Sequence, residues 1–258
     1  MAPRIAPFPR RNGLQWTLVA MALLALPAMG ELPADMPAQR VATEFAQCKH
    51  FFPAGLPPLV PKAPRLRELC FEGFALLHSG QTKTPVFVVE YLDRFVLRQA
   101  AGVPRGDDYH AEARLPDEER AEVEDYRESG YSMGHMAPAG DMGTEHAKAQ
   151  SFSLANMAPQ DAQLNHGVWN DIEQDTRRYV QRARGGVYIF TGPVYSDTDE
   201  TIGAGQVQVP QYFYKLVYDP GNGRSWAHWQ PNAPWGEMAE PIGYEELVRR
   251  TGIEFIPR

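Results

Sequence analysis

The stretch that decides the fold of this chain is residues 131–173, which read YSMGHMAPAGDMGTEHAKAQSFSLANMAPQDAQLNHGVWNDIE. Glycine and proline cluster around His135, which indicates a strand that ends in a loop. Asp161 can then cap a helix that runs to about Arg182. Apolar residues follow helical spacing along this segment, and they are Leu164, Val168, Ile172 and Tyr179. The stretch therefore predicts a strand and loop followed by a long amphipathic helix.

A second set of residues on this helix contains an amide and a carboxylate. Asn165, Trp169 and Glu173 are spaced i, i+4 and i+8 and fall within about 80° of one another, which predicts a single stripe beside the apolar one. We expect Trp169 to pack in the core. An amide and a carboxylate near a glycine-flanked histidine are not typical of a core, and they suit a hard cation that keeps most of its waters. Magnesium usually binds in that way.

The remaining elements do not alternate regularly along the chain. Predicted strands cover residues 84–92, 186–195, 206–218 and 225–229, and a short helix covers residues 244–250 and stops at Gly252. This order favours an α+β fold over a doubly wound sheet. Residues 31–66 are rich in proline and predict an irregular N-terminal arm. Residues 107–128 are rich in acids and predict a solvated surface segment.

Composition excludes several classes of protein and site. The formal net charge of −7 argues against binding nucleic acid mainly through a broad basic face, although a local basic groove stays open. Two cysteines exclude a disulfide-rich miniprotein and a four-thiolate zinc site. The chain contains no phosphate-binding P-loop motif, no Gly-x-Ser-x-Gly and no His-Glu-x-x-His. The seven histidines show no zinc-ligand spacing.

The first thirty residues predict a secretory signal peptide. Three arginines precede an apolar run over residues 14–26, and small residues follow up to Gly30. The alternative is an uncleaved N-terminal anchor. Export to a secreted or periplasmic location would permit a disulfide between Cys48 and Cys70, and two separate buried thiols are the alternative.

Four ordered blocks of sequence carry a resemblance to a known family. The blocks are Gly134-His135 followed by Ala137-Pro138, Asn156-Met157-Ala158-Pro159-Gln160, Leu164-Asn165-His166-Gly167-Val168-Trp169 with Glu173 four residues later, and the strand Val187–Val194. Together they resemble the DNA/RNA non-specific endonucleases of the ββα-metal superfamily, the endonuclease G-like group. The resemblance extends from about Arg98 to the C-terminus.

The resemblance implies a central antiparallel sheet flanked by helices with a ββα-metal motif, in a nuclease domain over residues 67–258. It implies hydrolysis of DNA and RNA with little sequence preference, leaving 5′-phosphate and 3′-hydroxyl ends. The implied cofactor is Mg²⁺, with Mn²⁺ able to substitute. A further alternative is a toxin delivered to competitor cells, which predicts an inhibitor protein as a partner. We expect no stable membrane association after signal cleavage.

The resemblance also implies a role for each of several residues. His135 would be the general base, and an unperturbed imidazole with a pKa of about 6.5 suits that task. Asn165 would be the direct metal ligand, and Glu173 would hold a metal-bound water. Asn156 would tie the loop to the histidine strand. Arg105 is the candidate catalytic and phosphate-binding arginine, and Arg114 is the second candidate for contacting substrate.

One departure from the family is marked. The family has Asp-Arg before Gly-His, whereas this chain has Ser132-Met133. Ser132 can still donate and accept hydrogen bonds and so support the loop. Met133 cannot replace the charge or the forked donors of a guanidinium. The alternative function is therefore a catalytically weakened nucleic-acid-binding module on the same fold.

Overall fold

The computed structural model describes residues 39–104, 106–196, 200–234 and 237–256. The predicted signal peptide over residues 1–30 lies outside the described residues, as does Arg105. No helix within these described ranges is long and apolar enough to cross a membrane.

Strands account for most of the regular structure. They are β1 (Arg40–Ala42), β2 (Leu59–Pro61), β3 (Leu66–Cys70), β4 (Ala75–Ser79), β5 (Thr84–Leu92), β6 (Tyr131–His135), β7 (Met157–Asp161), β8 (Val187–Val194), β9 (Thr201–Ile202), β10 (Val207–Gln208), β11 (Tyr212–Asp219) and β12 (Arg224–Pro231). A six-stranded antiparallel sheet has the order β12-β11-β8-β5-β4-β3, and three two-stranded pairs (β1-β2, β6-β7 and β9-β10) lie apart from it. The expected α+β fold with a central antiparallel sheet is confirmed.

Helices are fewer and mostly short. They are α1 (Arg94–Ala100), α2 (Val123–Tyr126), α3 (Glu145–Ser151), α4 (Ala162–Leu164), α5 (Asn170–Arg182) and α6 (Tyr244–Thr251), with a π-helical turn over Asn165–Trp169. Asp161 accepts hydrogen bonds from the backbone N–H groups of Gln163 and Leu164, as its predicted capping role requires. The helix α6 ends at Gly252, whose φ of 71° is the left-handed conformation that favours glycine.

The central sheet is buried on both faces. Side chains alternate between the two faces along each strand, so one strand contributes to a cluster on each side. In β5, Phe87 and Val89 pack with α6 and with residues that precede β3, among them Phe52. Val88, on the other face, shares a cluster with Trp169 and the helical segment around it. The sheet therefore separates an N- and C-terminal layer from the layer that contains His135 and α5.

Residues 39–66 are more ordered than the irregular arm that we expected. They form β1 and β2, and β1 pairs with β2 in an antiparallel register. Phe45, Phe51, Phe52 and Val60 from this segment are buried in the core. The compact unit therefore begins before residue 67. The sequence did not predict this order, because the segment is rich in proline and lacks a regular hydrophobic period. Large aromatic side chains anchor it instead.

A disulfide joins Cys48 to Cys70, as we predicted over separate thiols. The two Cα atoms lie 5.9 Å apart, within the usual range for this bond. Cys70 ends β3, so the bond fixes the N-terminal segment to the edge strand of the central sheet.

The acid-rich segment over residues 107–128 lies at the surface for most of its acidic residues, as we expected, but three of them are not solvated. Glu112, Glu119 and Asp125 are buried. Arg114 pairs with Glu112, and Arg67 donates two hydrogen bonds of 2.9 Å to Glu119. The composition therefore predicted exposure correctly for most of the segment. The pairings hold its buried part in place, because buried carboxylates need such partners.

Replacing both cysteines, as in Cys48→Ser/Cys70→Ser, should lower the free energy of unfolding by about 3 kcal/mol, because the bond restricts the unfolded chain across its 22-residue separation. Urea denaturation measures the change, and wild-type protein in reductant should lose a similar amount. An unchanged urea midpoint in the variant would mean that the bond does not stabilise this fold.

Candidate active site

A pocket of about 360 Å³ opens beside the end of β6 and the first turns of α5. Three residues that the sequence analysis assigned to catalysis or metal binding line it, namely His135, Asn165 and Glu173. Asn170 and Arg177 of α5 line it as well. The fold therefore brings two histidines, two amides, two carboxylates and a guanidinium to one opening.

His135 is the last residue of β6, and its ring is held between aromatic side chains. It stands edge-on to Phe152, with 5.1 Å between the ring centroids, and lies 5.9 Å from the ring of Tyr109. Its Nε2 atom is enclosed and has no hydrogen-bond partner among the described residues. Burial lowers the pKa of His135 to about 4, which corrects the unperturbed value that we expected. The imidazole is therefore neutral at pH 7 and can accept a proton.

The glycine before this histidine is a packing requirement. Gly134 pairs with Ala158 across the β6-β7 ladder, and the side chain of Gln160 lies over it. A Cβ atom added at Gly134 would lie 2.6 Å from the Cβ atom of Gln160, which is too close for two carbon atoms. Any larger residue would push the two strands apart and displace the neighbouring His135.

Asn156 holds the loop that follows His135. Its Oδ1 accepts a hydrogen bond of 2.9 Å from the backbone N–H of Ala137. Its Nδ2 donates to the backbone carbonyls of Ala137 at 2.9 Å and Ser151 at 2.8 Å. Asn156 is fully buried, so these bonds satisfy groups that water cannot reach. The amide fixes where the chain goes after the histidine.

The π-helical turn changes which residues share a face. Asn165 and Glu173 line the pocket, but Trp169 is buried, 5.6 Å from the ring of Phe213. The predicted single stripe was therefore wrong, although the expected core position of Trp169 agrees with the structure. A π-helical turn closes between residues i and i+5, so positions four apart no longer align. Gly167 has non-helical angles inside this turn, with φ of −103° and ψ of −112°.

Charged groups surround Glu173 on α5. Arg177 donates from Nε to Oδ1 of Asp141 at 2.5 Å and pairs with Glu173 at 3.5 Å. Burial raises the pKa of Glu173 to about 7, while the positive charges of Lys215 and Arg177 act in the opposite direction. This carboxyl group therefore changes its protonation near neutral pH.

Two buried ionisable residues beneath this helix escaped the sequence analysis. Glu90 in β5 is 1% exposed, and burial raises its pKa well above the usual range. Lys215 in β11 is also 1% exposed; its Nζ donates to Oγ1 of Thr191 at 2.8 Å and lies 5.4 Å from the ring centre of Trp169. A lone charge inside an apolar strand was the available signal, since such groups are rarely buried without a partner.

The structure does not bring Arg114 to this pocket. Its guanidinium makes two hydrogen bonds to Glu112 and one of 2.9 Å to the carbonyl of Cys70, and it lies 4.3 Å from the ring centre of Phe71. Its predicted contact with substrate is therefore not supported. Arg105, the first candidate, lies outside the described residues.

Ser132 and Met133 occupy opposite faces of β6. Met133 and His135 are two residues apart, and both line the pocket. Met133 is half-buried and packs against the cluster that contains Tyr126 and Met157. Ser132 pairs with Gln160 in the ladder and is absent from the described lining of the pocket. An apolar side chain thus stands where the family signature has arginine.

The donors in the pocket fit a hydrated hard cation. The described residues contain no group of three or more His, Cys, Asp or Glu side chains that could hold a metal ion, which excludes a typical zinc site from them. Asn165 and Asn170 offer amide oxygens, and Asp107 and Glu173 offer carboxylates. Magnesium is commonly held by one or two protein oxygens while it keeps several waters.

Comparison with known proteins agrees with this geometry. A family model described as DNA/RNA non-specific endonuclease matches residues 60–257. The chain is 32% identical to Nuclease EXOG, mitochondrial, of Xenopus laevis over 241 residues, which cover 78% of this chain and 65% of the relative. It is 30% identical to Endonuclease G, mitochondrial, of Homo sapiens over 221 residues, which cover 79% of this chain and 72% of the relative. The chain therefore spans about two thirds of the length of these relatives.

A solved structure is similar as well. The crystal structure of the EndoG/EndoGI complex, described as showing the mechanism of EndoG inhibition, matches with a TM-score of 0.68 at 27% sequence identity. The match covers 76% of this chain and 86% of that chain.

Substituting Asn156→Ala should lower the free energy of unfolding by about 2–4 kcal/mol, because it leaves buried backbone groups of Ala137 and Ser151 without partners. Gln174→Ala, on the exposed side of α5, is the matched control and should change it by less than about 0.5 kcal/mol. Chemical denaturation measures both. Equal free energies of unfolding for the two variants would show that the Asn156 side chain does not stabilise the fold.

Proposed function

The chain belongs to the DNA/RNA non-specific endonuclease family, and we propose that it is an exported, magnesium-dependent nuclease. The proposed reaction is hydrolysis of phosphodiester bonds in DNA and RNA with little sequence preference. The observation that carries the proposal is the convergence of His135, Asn165 and Glu173 on one pocket, although they come from a strand, a π-helical turn and a helix.

His135 is assigned the role of general base. Its low pKa keeps the ring neutral at pH 7, so it can take a proton from a water that attacks phosphorus. Because Nε2 is enclosed, we assign this proton transfer to Nδ1. The surrounding Phe152 and Tyr109 rings fix the orientation of the imidazole and exclude bulk water from one side of it.

Asn165 and Glu173 are assigned the metal site. Asn165 would hold the ion directly through Oδ1, and Glu173 would accept a hydrogen bond from a water on the ion. When bound, the divalent cation would neutralise charge that develops on the phosphate and the leaving oxygen. Glu173 must be ionised for this role, and a neighbouring cation favours the ionised form over the neutral one. Arg177 keeps the carboxylate turned towards the pocket.

Arg177 is also the guanidinium that lines the described part of this pocket, and we assign it a contact with the substrate phosphate. Its Nε is held by Asp141, which fixes the plane of the group. Arg114 is engaged elsewhere, and Arg105 stays a prediction. One local arginine suits a chain whose net charge is −7, because binding at this site needs only a local positive group.

Export is proposed from residues 1–30 and leads to a secreted or periplasmic nuclease. The Cys48–Cys70 disulfide supports the proposal, because such bonds persist in oxidising compartments. An inhibitor protein is a proposed partner, since the similar solved structure is described as a complex in which EndoG is inhibited.

The second candidate function is a weakened nucleic-acid-binding module, and Met133 is the observation that favours it. Incubating plasmid DNA with purified protein, with and without EDTA, separates the two. A nuclease cuts the plasmid only without the chelator, whereas a binding module retards it in a gel and leaves it intact.

Substituting His135→Ala should lower cleavage of plasmid DNA by about 10²–10⁴-fold, the usual contribution of a positioned general base. The fold should survive, because the half-buried ring makes no hydrogen bond through Nε2. His166→Ala, an exposed histidine at the same pocket, is the matched control and should retain most activity. If both variants cleave like wild type at equal thermal stability, His135 is not the base.

Substituting Asn165→Ala should raise the Mg²⁺ concentration needed for half-maximal cleavage by at least about tenfold, because it removes the proposed direct ligand. Glu173→Gln should instead lower turnover and change the metal requirement less. Isothermal titration with Mn²⁺ gives a second readout that does not depend on activity. An unchanged metal affinity in Asn165→Ala would overturn the ligand assignment.

A further inference from the structure

The lining of the active-site pocket has a polar side and an apolar side. The polar side belongs to the π-helical turn and α5 and consists of Asn165, Asn170, Glu173 and Arg177. The apolar side comes from three other segments of the chain and consists of Tyr109, Met133 and Phe152. In the proposed function the polar side holds the metal and the phosphate. The apolar side has so far no contact with substrate assigned to it.

The apolar side is continuous and adjoins the proposed general base. The rings of Tyr109 and Phe152 stand edge to face, with 5.1 Å between their centroids. Tyr109 and Met133 pack against the same buried cluster. Both rings also contact the imidazole of His135, at 5.9 Å for Tyr109 and 5.1 Å for Phe152. A group bound on this side would therefore lie next to the phosphate that His135 serves.

Met133 gives this side its apolar character. The family signature has arginine here, and a guanidinium would bind phosphate through its charge and its forked donors. The thioether of methionine is apolar and polarisable, and it makes favourable contacts with flat rings. Met133 is only half-buried, so part of its side chain is open to the pocket. Asp107, two residues before Tyr109, is exposed in the same lining, and its negative charge disfavours a second phosphate there.

We propose that Tyr109, Met133 and Phe152 bind the nucleobase of a nucleotide next to the scissile phosphate, and that Met133 makes the enzyme selective for unpaired strands. The inference rests on the proposed function. A phosphate at Arg177 is joined to its base through one sugar, so both enter the same pocket. Every base has a flat face that can stack on protein side chains, so this contact adds little sequence preference.

Selectivity for unpaired strands follows from what the base must give up. A duplex keeps its bases stacked and paired, and a base can reach this subsite only by leaving the stack. That step costs free energy, and it costs least in a strand that is already single. An arginine at position 133 would instead contact phosphate, which single strands and duplexes both present. The side chain at this position should therefore set the preference between the two forms.

Binding to the wild-type protein in EDTA tests the subsite without cleavage. Isothermal titration at low salt compares tetrathymidylate with a chain of four abasic deoxyribose units joined by the same phosphodiester bonds. The two probes carry the same backbone charge and differ only in the bases. Tetrathymidylate should bind at least about fivefold more tightly, which is the lower end of what stacking one base contributes. Equal affinities for the two probes would overturn the proposal.

Variants assign this difference to Met133. Met133→Ala should weaken binding of tetrathymidylate about three- to tenfold and change binding of the abasic chain little, and Met133→Leu, which keeps the apolar bulk, should retain most of the affinity. Met238→Ala is the matched control, because Met238 is 40% exposed and absent from the described lining of the pocket. It should bind both probes like wild type. A parallel loss for both probes in Met133→Ala would show that Met133 only supports the fold, and would overturn its assignment to the base.

Cleavage tests the selectivity and separates this inference from the proposed function. Wild-type protein should cleave a 20-nucleotide single strand with a kcat/KM about tenfold or more above that for the same strand in a duplex. Met133→Arg should reduce this ratio and steepen the dependence of log KM on log salt by roughly 0.7–0.9, the contribution of one added phosphate contact.

Equal kcat/KM values for the two forms in wild type, or an unchanged ratio in Met133→Arg, would overturn the inference and leave the nuclease assignment intact. A protein that cleaves neither form would overturn the proposed function. The titrations with tetrathymidylate and the abasic chain would then still decide whether the apolar side binds a base.

Discussion

The site depends above all on the buried amide of Asn156. It holds the chain at Ala137 from both sides, through the backbone N–H and the carbonyl. This anchor sets the course of the loop that leads to Asp141, and Asp141 in turn holds the guanidinium of Arg177. Arg177 then pairs with Glu173. One hydrogen-bonded amide therefore links the position of the histidine strand to the position of the carboxylate on α5.

Charged groups are buried together with apolar residues in the interior below the pocket. Asp141, Glu173 and Glu90 provide three acidic groups, and Arg177 and Lys215 provide two cationic ones; the ionisation of Glu90 and Glu173 depends on the other groups. Burying charge is costly unless partners compensate it, so a proton held by one of these carboxyl groups brings the cluster closer to neutrality. A bound divalent cation would supply the same compensation and allow Glu173 to ionise. The cluster is thus suited to a site that binds a divalent cation.

Several elements of the fold could be predicted from the sequence, because short stretches of neighbouring residues determine them. The apolar run of β5, the cap at Asp161 and the stop at Gly252 each depend on nearby residues, and the structure places them as predicted. The spaced motif also identified three residues that meet in one pocket.

Other features depend on partners distant in the chain. The π-helical turn separates Trp169 from Asn165 and Glu173, although the spacing of these residues is also that of an α-helix. The sequence made Arg114 a candidate phosphate contact, but it could not show that the guanidinium pairs with Glu112 in the folded protein. Burial of Glu119 depends on Arg67, which lies 52 positions away in the sequence.

The central claim is that a metal ion is held in this pocket with Asn165 as its one direct protein ligand. Anomalous diffraction from a crystal of His135→Ala protein grown with Mn²⁺ and a short oligonucleotide tests it most directly. The account predicts a single manganese peak within about 2.0–2.3 Å of Oδ1 of Asn165, with Glu173 reaching it only through water. A peak bonded to two or more carboxylates, or located outside the pocket, would contradict it.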